Sequence, residues 1–199
     1  MKGLLLKDVC TMATEAKYTI LLLIVMVCLH NSWLYTFAIV YASVLPVTSL
    51  GYDERAKWNK LADMLPYTVA QLVGSKYLLG YLASGIAALF AVFGRWTGIR
   101  GATSAEDFIT IAIVFCIATI VEAIQLPLMF GIGVEKGRLL FVMLTVTAAG
   151  SMYAVTDLLE ETALTGIGAA HIMILVVAAA VISNLISFWV SGKLYQRAK

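Results

Sequence analysis

The chain has 199 residues, of which 61% are hydrophobic and only 13% are charged. A soluble domain carries about 25% charged residues, so this composition excludes a protein whose whole surface faces water. The net charge of +2 is too small to indicate binding of nucleic acid. Because lipid cannot satisfy exposed backbone groups, we predict an all-α membrane protein in which 1–199 form a single transmembrane domain.

Residues 1–16 are the first predicted element. Leucines and other apolar residues alternate there with Lys2, Lys7, Asp8 and Glu15. This mixture is typical of an amphipathic helix that lies at the membrane surface. A frayed terminus is the alternative interpretation.

Six apolar runs follow, and each long run approaches the ~20 residues that an α-helix needs to cross the hydrocarbon core. The first run is short, so its neighbours must help it to cross. Pro46 interrupts the second run, and we expect it to kink that helix or to end its regular part. The six predicted spans are 18–28, 33–50, 69–93, 108–130, 139–155 and 167–190.

The segment 52–66, between the second and third predicted spans, is the most polar stretch of the chain. Trp58, Leu61 and Met64 recur at helical spacing and predict one apolar face on a short helix. Such a helix lies on the lipid headgroups, with Trp58 as an interface anchor, or docks into a groove on a soluble partner. Three cations suit both alternatives: Arg55, Lys57 and Lys60.

The distribution of lysine and arginine predicts the orientation of the chain. With the N-terminus in the cytoplasm, only Arg95 and Arg100 of the 14 Lys and Arg residues lie outside, which leaves 12 inside. The positive-inside rule favours this orientation over its reverse. We therefore expect a multi-pass protein of the cell membrane with both termini in the cytoplasm.

Glu122 is an acidic residue in the middle of the fourth predicted span. An ionisable group in hydrocarbon costs several kcal/mol unless it faces a partner or a cavity. Glu122 and Gln125, one turn further on, are therefore candidates for a substrate path or a cation site. The alternative is a glutamate that is hydrogen-bonded to a neighbouring helix. In the third span, small residues at four-residue intervals predict a close helix contact: Gly80, Ser84 and Ala88.

Motifs of membrane enzymes are largely missing from the sequence. No Walker A motif occurs, so the chain does not hydrolyse ATP alone. Its two histidines, His30 and His171, do not form a zinc motif, and we predict no metal site. Glu160 and Glu161 followed by His171 loosely resemble the glutamate-rich proteases that process prenylated proteins, but the arginine of that pattern is absent.

Several motifs in order resemble the ABC-2 type permeases. The chain opens with MKGLLLKD, has DExxKW at 53–58 and LP at 65–66, and continues with SKYLLG at 75–80. It then has LPLxFG at 126–131 and EKGR at 135–138. Within that family, this small form with short loops is similar to the exporters of phenol-soluble modulins and related peptides.

The resemblance implies a six-helix permease that pairs with a second permease subunit, identical or different, and with a separate ATP-binding-cassette ATPase. ATP and Mg²⁺ would reside on that ATPase, and this chain would bind no cofactor. Residues 1–16 would form an elbow helix, and 52–66 would contain a cytoplasmic coupling helix that docks into the ATPase. The coupling residues would be Asp53, Glu54, Arg55, Lys57, Trp58, Lys60 and Leu61.

The lengths of the external loops bear on the cargo. The external loops are short, which favours amphipathic peptides or lipid-like molecules that enter from the inner leaflet or the cytoplasm. Two other functions stay open. One is a membrane-embedded, protease-like enzyme, and the other is a non-transporting scaffold or immunity protein that only binds toxic peptides. The candidate chemical groups of the enzyme are Glu122, Glu160, Glu161 and His171.

Overall fold

The computed structural model describes residues 2–15, 17–28, 32–62, 64–96, 105–143 and 169–197. These residues are helical apart from short turns, and they contain no β-strand. The helices in chain order are α1 (Lys2–Glu15), α2 (Lys17–Cys28), α3 (Ser32–Ala42), α4 (Leu45–Arg55), α5 (Trp58–Ala62), α6 (Val69–Trp96), α7 (Ala105–Ile132), α8 (134–143) and α9 (Ala169–Arg197).

Within the described part of the chain, three helices are long and apolar enough to cross a membrane, namely Val69–Phe93, Phe108–Ile132 and Ile174–Gln196. The first two confirm the predicted third and fourth spans. The last lies several residues further along the chain than the predicted 167–190. The helices α2 and α3 have 12 and 11 residues, short of the ~20 needed to cross alone. Most of the predicted fifth span lies outside the described residues, so six spans stay a prediction.

The predicted second span is interrupted near Pro46, as expected. Residues 43 and 44 form a turn after α3, and α4 begins at Leu45 with Pro46 in its first turn. Proline is tolerated there because the first N–H groups of a helix have no partner within it. After this interruption, the polar side chains Ser49 and Asp53 on α4 are buried.

The segment 52–66 is not one helix. Its first residues are the last turn of α4, which ends at Arg55. Lys57 then has a φ of 52°, in the left-handed region that a helix cannot contain. The separate helix α5 is only 5 residues long, and Met64 lies beyond it in a turn.

The long helix α6 lies at the centre of the described fold and contacts α1, α2, α3, α4, α7 and α9. The largest apolar cluster joins α3, α6 and α7. Its alanines let the helix backbones approach closely, as is usual for helices packed in lipid. The buried members are Ile39, Ala42, Ala87, Ala91, Ile111, Val114 and Ala118.

Candidate functional site: two buried polar regions along α6

Several chain segments meet at one end of the molecule. The Gly3 Cα lies beside the Tyr67 hydroxyl, and Gly131 packs against the Leu194 side chain near the end of α9. The Val134 N–H also bonds to Glu54. Together, these contacts place the first and last described residues at the same end of the helix bundle. The segment 52–66 and the junction of α7 with α8 are there too. The side of the membrane that this end faces stays a prediction.

Beneath the segment 52–66 lies a buried ion-pair cluster, which consists of Lys7, Asp8, Ser49, Asp53 and Lys76. The Lys76 ammonium donates to Asp8 Oδ1 at 2.8 Å, to Ser49 Oγ at 2.8 Å and to Asp53 Oδ2 at 2.5 Å. The Lys7 ammonium contacts Asp53 Oδ1 at 2.5 Å and Asp8 Oδ1 at 2.9 Å. The cluster therefore joins α1, α4 and α6 through two cations and two anions.

Asp53 is one of the predicted coupling residues, and its carboxylate faces inward. Only 6% of the residue is exposed, and each of its oxygens accepts from one lysine. A buried charge without a partner costs several kcal/mol, whereas a paired and hydrogen-bonded one is tolerated. Asp53 therefore holds α4 to α1 and α6 and has no free face for a soluble partner.

Trp58 also faces inward. The Lys7 ammonium lies 4.4 Å from the centroid of its ring, within the range of a cation–π interaction. Lys7 therefore connects the ring at the start of α5 to the buried ion-pair cluster. This contact and the half-burial of Trp58 fix the position of the short helix against α1.

The outer surface of the segment combines apolar and charged residues. Leu61 is 53% exposed and Met64 is 83% exposed. Arg55 and Lys57 are exposed as well. Lys60 lies in α5, and its side chain is outside what the structure describes. The apolar face expected from Trp58, Leu61 and Met64 is therefore divided: Trp58 packs on α1, and the other two face outward.

Glu54 connects the segment to the next helix pair. Its Oε2 accepts from the Val134 N–H at 3.0 Å, at the first residue of α8, where a helix has N–H groups without partners. Gly133, at a φ of 89°, makes the turn between α7 and α8, a conformation that glycine adopts without strain. A polar cleft of about 450 Å³ lies at this junction, and its wall includes Arg55 and Arg138.

The second polar region is in the middle of the bundle, where α7 faces α6. Glu122 is 0% exposed, and neither of its carboxyl oxygens has a hydrogen-bond partner among the described residues. The carboxyl lies directly on the α6 backbone at Gly80, where a Cβ would overlap it. The Gln125 Oε1 atom is likewise buried without a donor. The hydrogen bond that the alternative interpretation required for Glu122 is not found among the described residues.

Nearby hydroxyl groups bond elsewhere. The Tyr77 hydroxyl contacts Ser187 Oγ at 2.5 Å and Ser191 Oγ at 2.9 Å on α9. The Tyr81 hydroxyl donates to Asn184 Oδ1 at 2.7 Å. These bonds attach α6 to α9 and leave Glu122 without a donor from either tyrosine.

Sequence reasoning missed the partners of Asp53. Asp8 and Lys7 were interpreted only as polar residues of a surface helix, and Ser49 was not singled out. The available signal was Lys76, a cation inside a long apolar run, because such a residue requires a buried anion. Which anion it meets depends on how the chain folds back, since Asp8 is 68 positions away from Lys76.

The candidate enzymatic groups do not form a site in the described part of the chain. Glu160, Glu161 and His30 lie outside the described residues, and the side chain of His171 is not described. Among the described residues, no three His, Cys, Asp or Glu side chains are arranged to hold a metal ion.

Comparison with known families identifies a match that covers nearly the whole chain. The model of the ABC-2 family transporter protein matches residues 3–196, which is nearly the whole chain. The chain therefore belongs to the ABC-2 transporter family, whose members are membrane components of ABC transporters and are generally not enzymes. No curated protein and no solved structure shows a significant match.

Proposed function

We propose that this chain is the permease subunit of an ABC exporter that moves amphipathic peptides or lipid-like molecules, driven by a separate ATPase. The family match supports the transporter class. The direction of transport and the cargo are our inference from the similarity to peptide exporters and from the short external loops. A second permease subunit completes the translocation path.

The observation that carries the proposal is the attachment of the segment 52–66 to the bundle. Its inner side is held by the Asp53 ion pairs and by the Lys7–Trp58 contact. Its outer side presents Leu61 and Met64, two exposed apolar side chains next to exposed cations. Apolar anchors surrounded by charge are typical of a protein interface, so this outer side is our candidate for ATPase docking.

Within this proposal, the coupling residues have two roles. Leu61, Arg55 and Lys57 contact the ATPase, whereas Asp53, Trp58 and Glu54 transmit its movement. Asp53 connects to α6 through Lys76, and Glu54 connects to α8 through Val134. A displacement of the segment upon ATP binding would therefore reach α6 and α8 through short polar contacts.

The test is co-expression of the permease with the ATP-binding-cassette ATPases of the same genome, followed by co-purification and an ATPase assay. We expect one ATPase to co-purify and to change its activity in the complex. Leu61→Asp should weaken that association at least tenfold, because it places a charge in an apolar contact.

The control is Thr14→Asp, which places the same charge at an exposed polar position of α1. It should insert and associate like the unmodified protein. Normal ATPase association of Leu61→Asp, or no association of the unmodified protein with any ATPase, would overturn the proposal.

A further inference from the structure

The polar cleft between α4 and the start of α8 has more positive than negative side chains in its wall. The three cations are Arg55, Lys136 and Arg138, and the two acids are Glu54 and Glu135. Within the described part of the chain, none of the three cations forms an ion pair, because all the ion pairs found there belong to the buried ion-pair cluster. The cleft therefore gathers positive charge that the described fold does not neutralise.

Glu54 does not compete for these cations, since its carboxylate is directed to the first turn of α8. Its Oε2 accepts from the Val134 N–H at 3.0 Å. Its Oε1 lies beside Gly133, 3.3 Å from the position that a Cβ atom would occupy there. The partial positive charge of a helix N-terminus compensates such a carboxylate. Three cations and the exposed Glu135 then remain in the wall, so the cleft favours an anion.

The Arg138 guanidinium reaches across the cleft from α8 to α4. Its Nη2 atom is 3.9 Å from the position that a Cβ atom of Gly51 would occupy. Arg55 comes four residues after Gly51 on α4, and residues at this spacing are neighbours on a helix surface. Two guanidinium groups from different helices therefore line the same cleft. Guanidinium groups bind the oxygens of a phosphate through paired hydrogen bonds.

The surface of α8 changes from charged to apolar directly beside the cleft. The last charged residue of the described part of α8 is Arg138, and the exposed residues that follow it are apolar, including Leu139, Val142 and Met143. Ile132, an exposed apolar residue at the end of α7, lies in the cleft wall itself. In a membrane protein, exposed apolar residues face hydrocarbon, whereas cations near helix ends reach the headgroups. The cleft therefore lies at the level of the lipid headgroups.

We propose that the cleft binds the phosphate of an anionic phospholipid, whose acyl chains lie along the exposed apolar residues of α8. Basic pockets between membrane helices bind anionic headgroups in this way. A free anion would neutralise the cations but would leave the apolar residues beside them uncovered, so the structure favours a lipid. The inference depends on neither the ATPase nor the cargo, because it needs only a chain that spans the membrane.

The test titrates lipid onto the full-length permease, purified and delipidated in a non-ionic detergent, and counts bound lipid by native mass spectrometry. The probe is palmitoyl-oleoyl phosphatidylglycerol. The comparison lipid is palmitoyl-oleoyl phosphatidylcholine, which has the same chains and no net charge. We expect saturable binding of the phosphatidylglycerol and about tenfold weaker binding of the phosphatidylcholine. Equimolar inorganic phosphate should not displace the lipid, because it covers none of the apolar surface.

Three variants test the position of the site. Arg138→Gln should weaken phosphatidylglycerol binding about fivefold, since it removes one cation from the wall; Arg55 is avoided because it is also a candidate ATPase contact. Glu135→Gln removes the acid that remains near the cations and should strengthen binding. The matched control is Lys17→Gln, which removes an exposed cation of α2 outside the cleft and should leave binding unchanged. All three side chains are exposed, so the fold should tolerate each change.

Four results would overturn the inference: no saturable lipid binding, equal affinity for the two lipids, equal affinity of Arg138→Gln and the unmodified protein, or displacement of the lipid by equimolar inorganic phosphate. Equal losses for Arg138→Gln and Lys17→Gln would overturn it as well, since binding would then follow the net charge of the protein and not the cleft. These results leave the exporter proposal untouched, because that proposal is tested by ATPase association.

Discussion

Two buried acidic regions lie along α6 and differ in whether their charges have partners. In the buried ion-pair cluster, Asp53 accepts from two lysines and Asp8 Oδ1 accepts from Ser49 and both lysines. The Glu122 carboxyl packs on α6 at Gly80, less than two helical turns along that helix from Lys76, and it has no donor among the described residues.

This difference indicates which of the two regions holds helices together. A buried ion pair with several hydrogen bonds fixes the geometry of the helices that supply it, although its net contribution to stability is small. A buried carboxyl without a hydrogen-bond partner adds no such connection and carries a desolvation cost. We therefore interpret the cluster as the connection between the coupling segment and the bundle, whereas the Glu122 carboxyl makes no described hydrogen bond that joins two helices.

We expect the largest effect on stability from the removal of the Lys76 ammonium. In Lys76→Met, Asp8 and Asp53 would share only Lys7 as a cation. Removing one partner of a buried ion pair costs about 3–5 kcal/mol, and the partly exposed Lys7 compensates for little of it. We expect a large decrease in the midpoint of thermal unfolding, measured on the purified protein in detergent.

Lys136→Met is the matched control, since Lys136 is an exposed lysine of α8. Its unfolding midpoint should stay within one or two degrees of that of the unmodified protein. Equal midpoints for the two variants would show that the ion-pair cluster does not hold α1, α4 and α6 together.

The same chemical change at the two regions should have opposite effects. Asp53→Asn leaves an unbalanced cation in the cluster and should destabilise the fold by about 2 kcal/mol, since hydrogen bonds to charged groups contribute about 1.5–3 kcal/mol. Glu122→Gln exchanges a buried carboxyl that has no donor for an amide of the same shape, and it should leave stability unchanged or raise it. The unfolding midpoints of the two variants, measured side by side, test the comparison directly.

A decrease in midpoint for Glu122→Gln as large as that for Asp53→Asn would contradict the comparison. It would mean that Glu122 has a stabilising partner in the folded protein. The region around Glu122 would then be a structural feature like the cluster.

The long apolar patterns predicted their helices, whereas the features that depend on tertiary contacts could not be predicted. The spans 69–93 and 108–130 were correct because α6 and α7 need only length and apolar composition. The spacing of Trp58, Leu61 and Met64 predicts a short helix in the segment 52–66, but it carries no information about the positive φ of Lys57, which separates α4 from α5.

In the candidate site, too, one part could be predicted from sequence and another could not. The acid in the middle of a span identified Glu122, since such a residue is unusual whatever surrounds it. Its lack of a donor depends on where Tyr77, Tyr81 and Ser84 direct their hydroxyls, which no local pattern specifies. The ion pairs of Asp53 likewise depend on the packing of α6 against α1, which brings Lys76 and Lys7 together.

The smallest expected effect concerns Glu54, an acid that is exposed and has one described donor. Its bond to the Val134 N–H lies at the start of α8, where a negative charge contributes about 0.3–1 kcal/mol. Glu54→Gln keeps an acceptor but removes that charge, so we expect a midpoint decrease well below that of Asp53→Asn. Glu135→Gln, one residue beyond Val134, is the control for charge alone. A loss as large as for Asp53→Asn would mean that neither burial nor the number of donors sets the cost of losing an acid. The presence of one charged hydrogen bond would then be enough to explain the effect of Asp53→Asn.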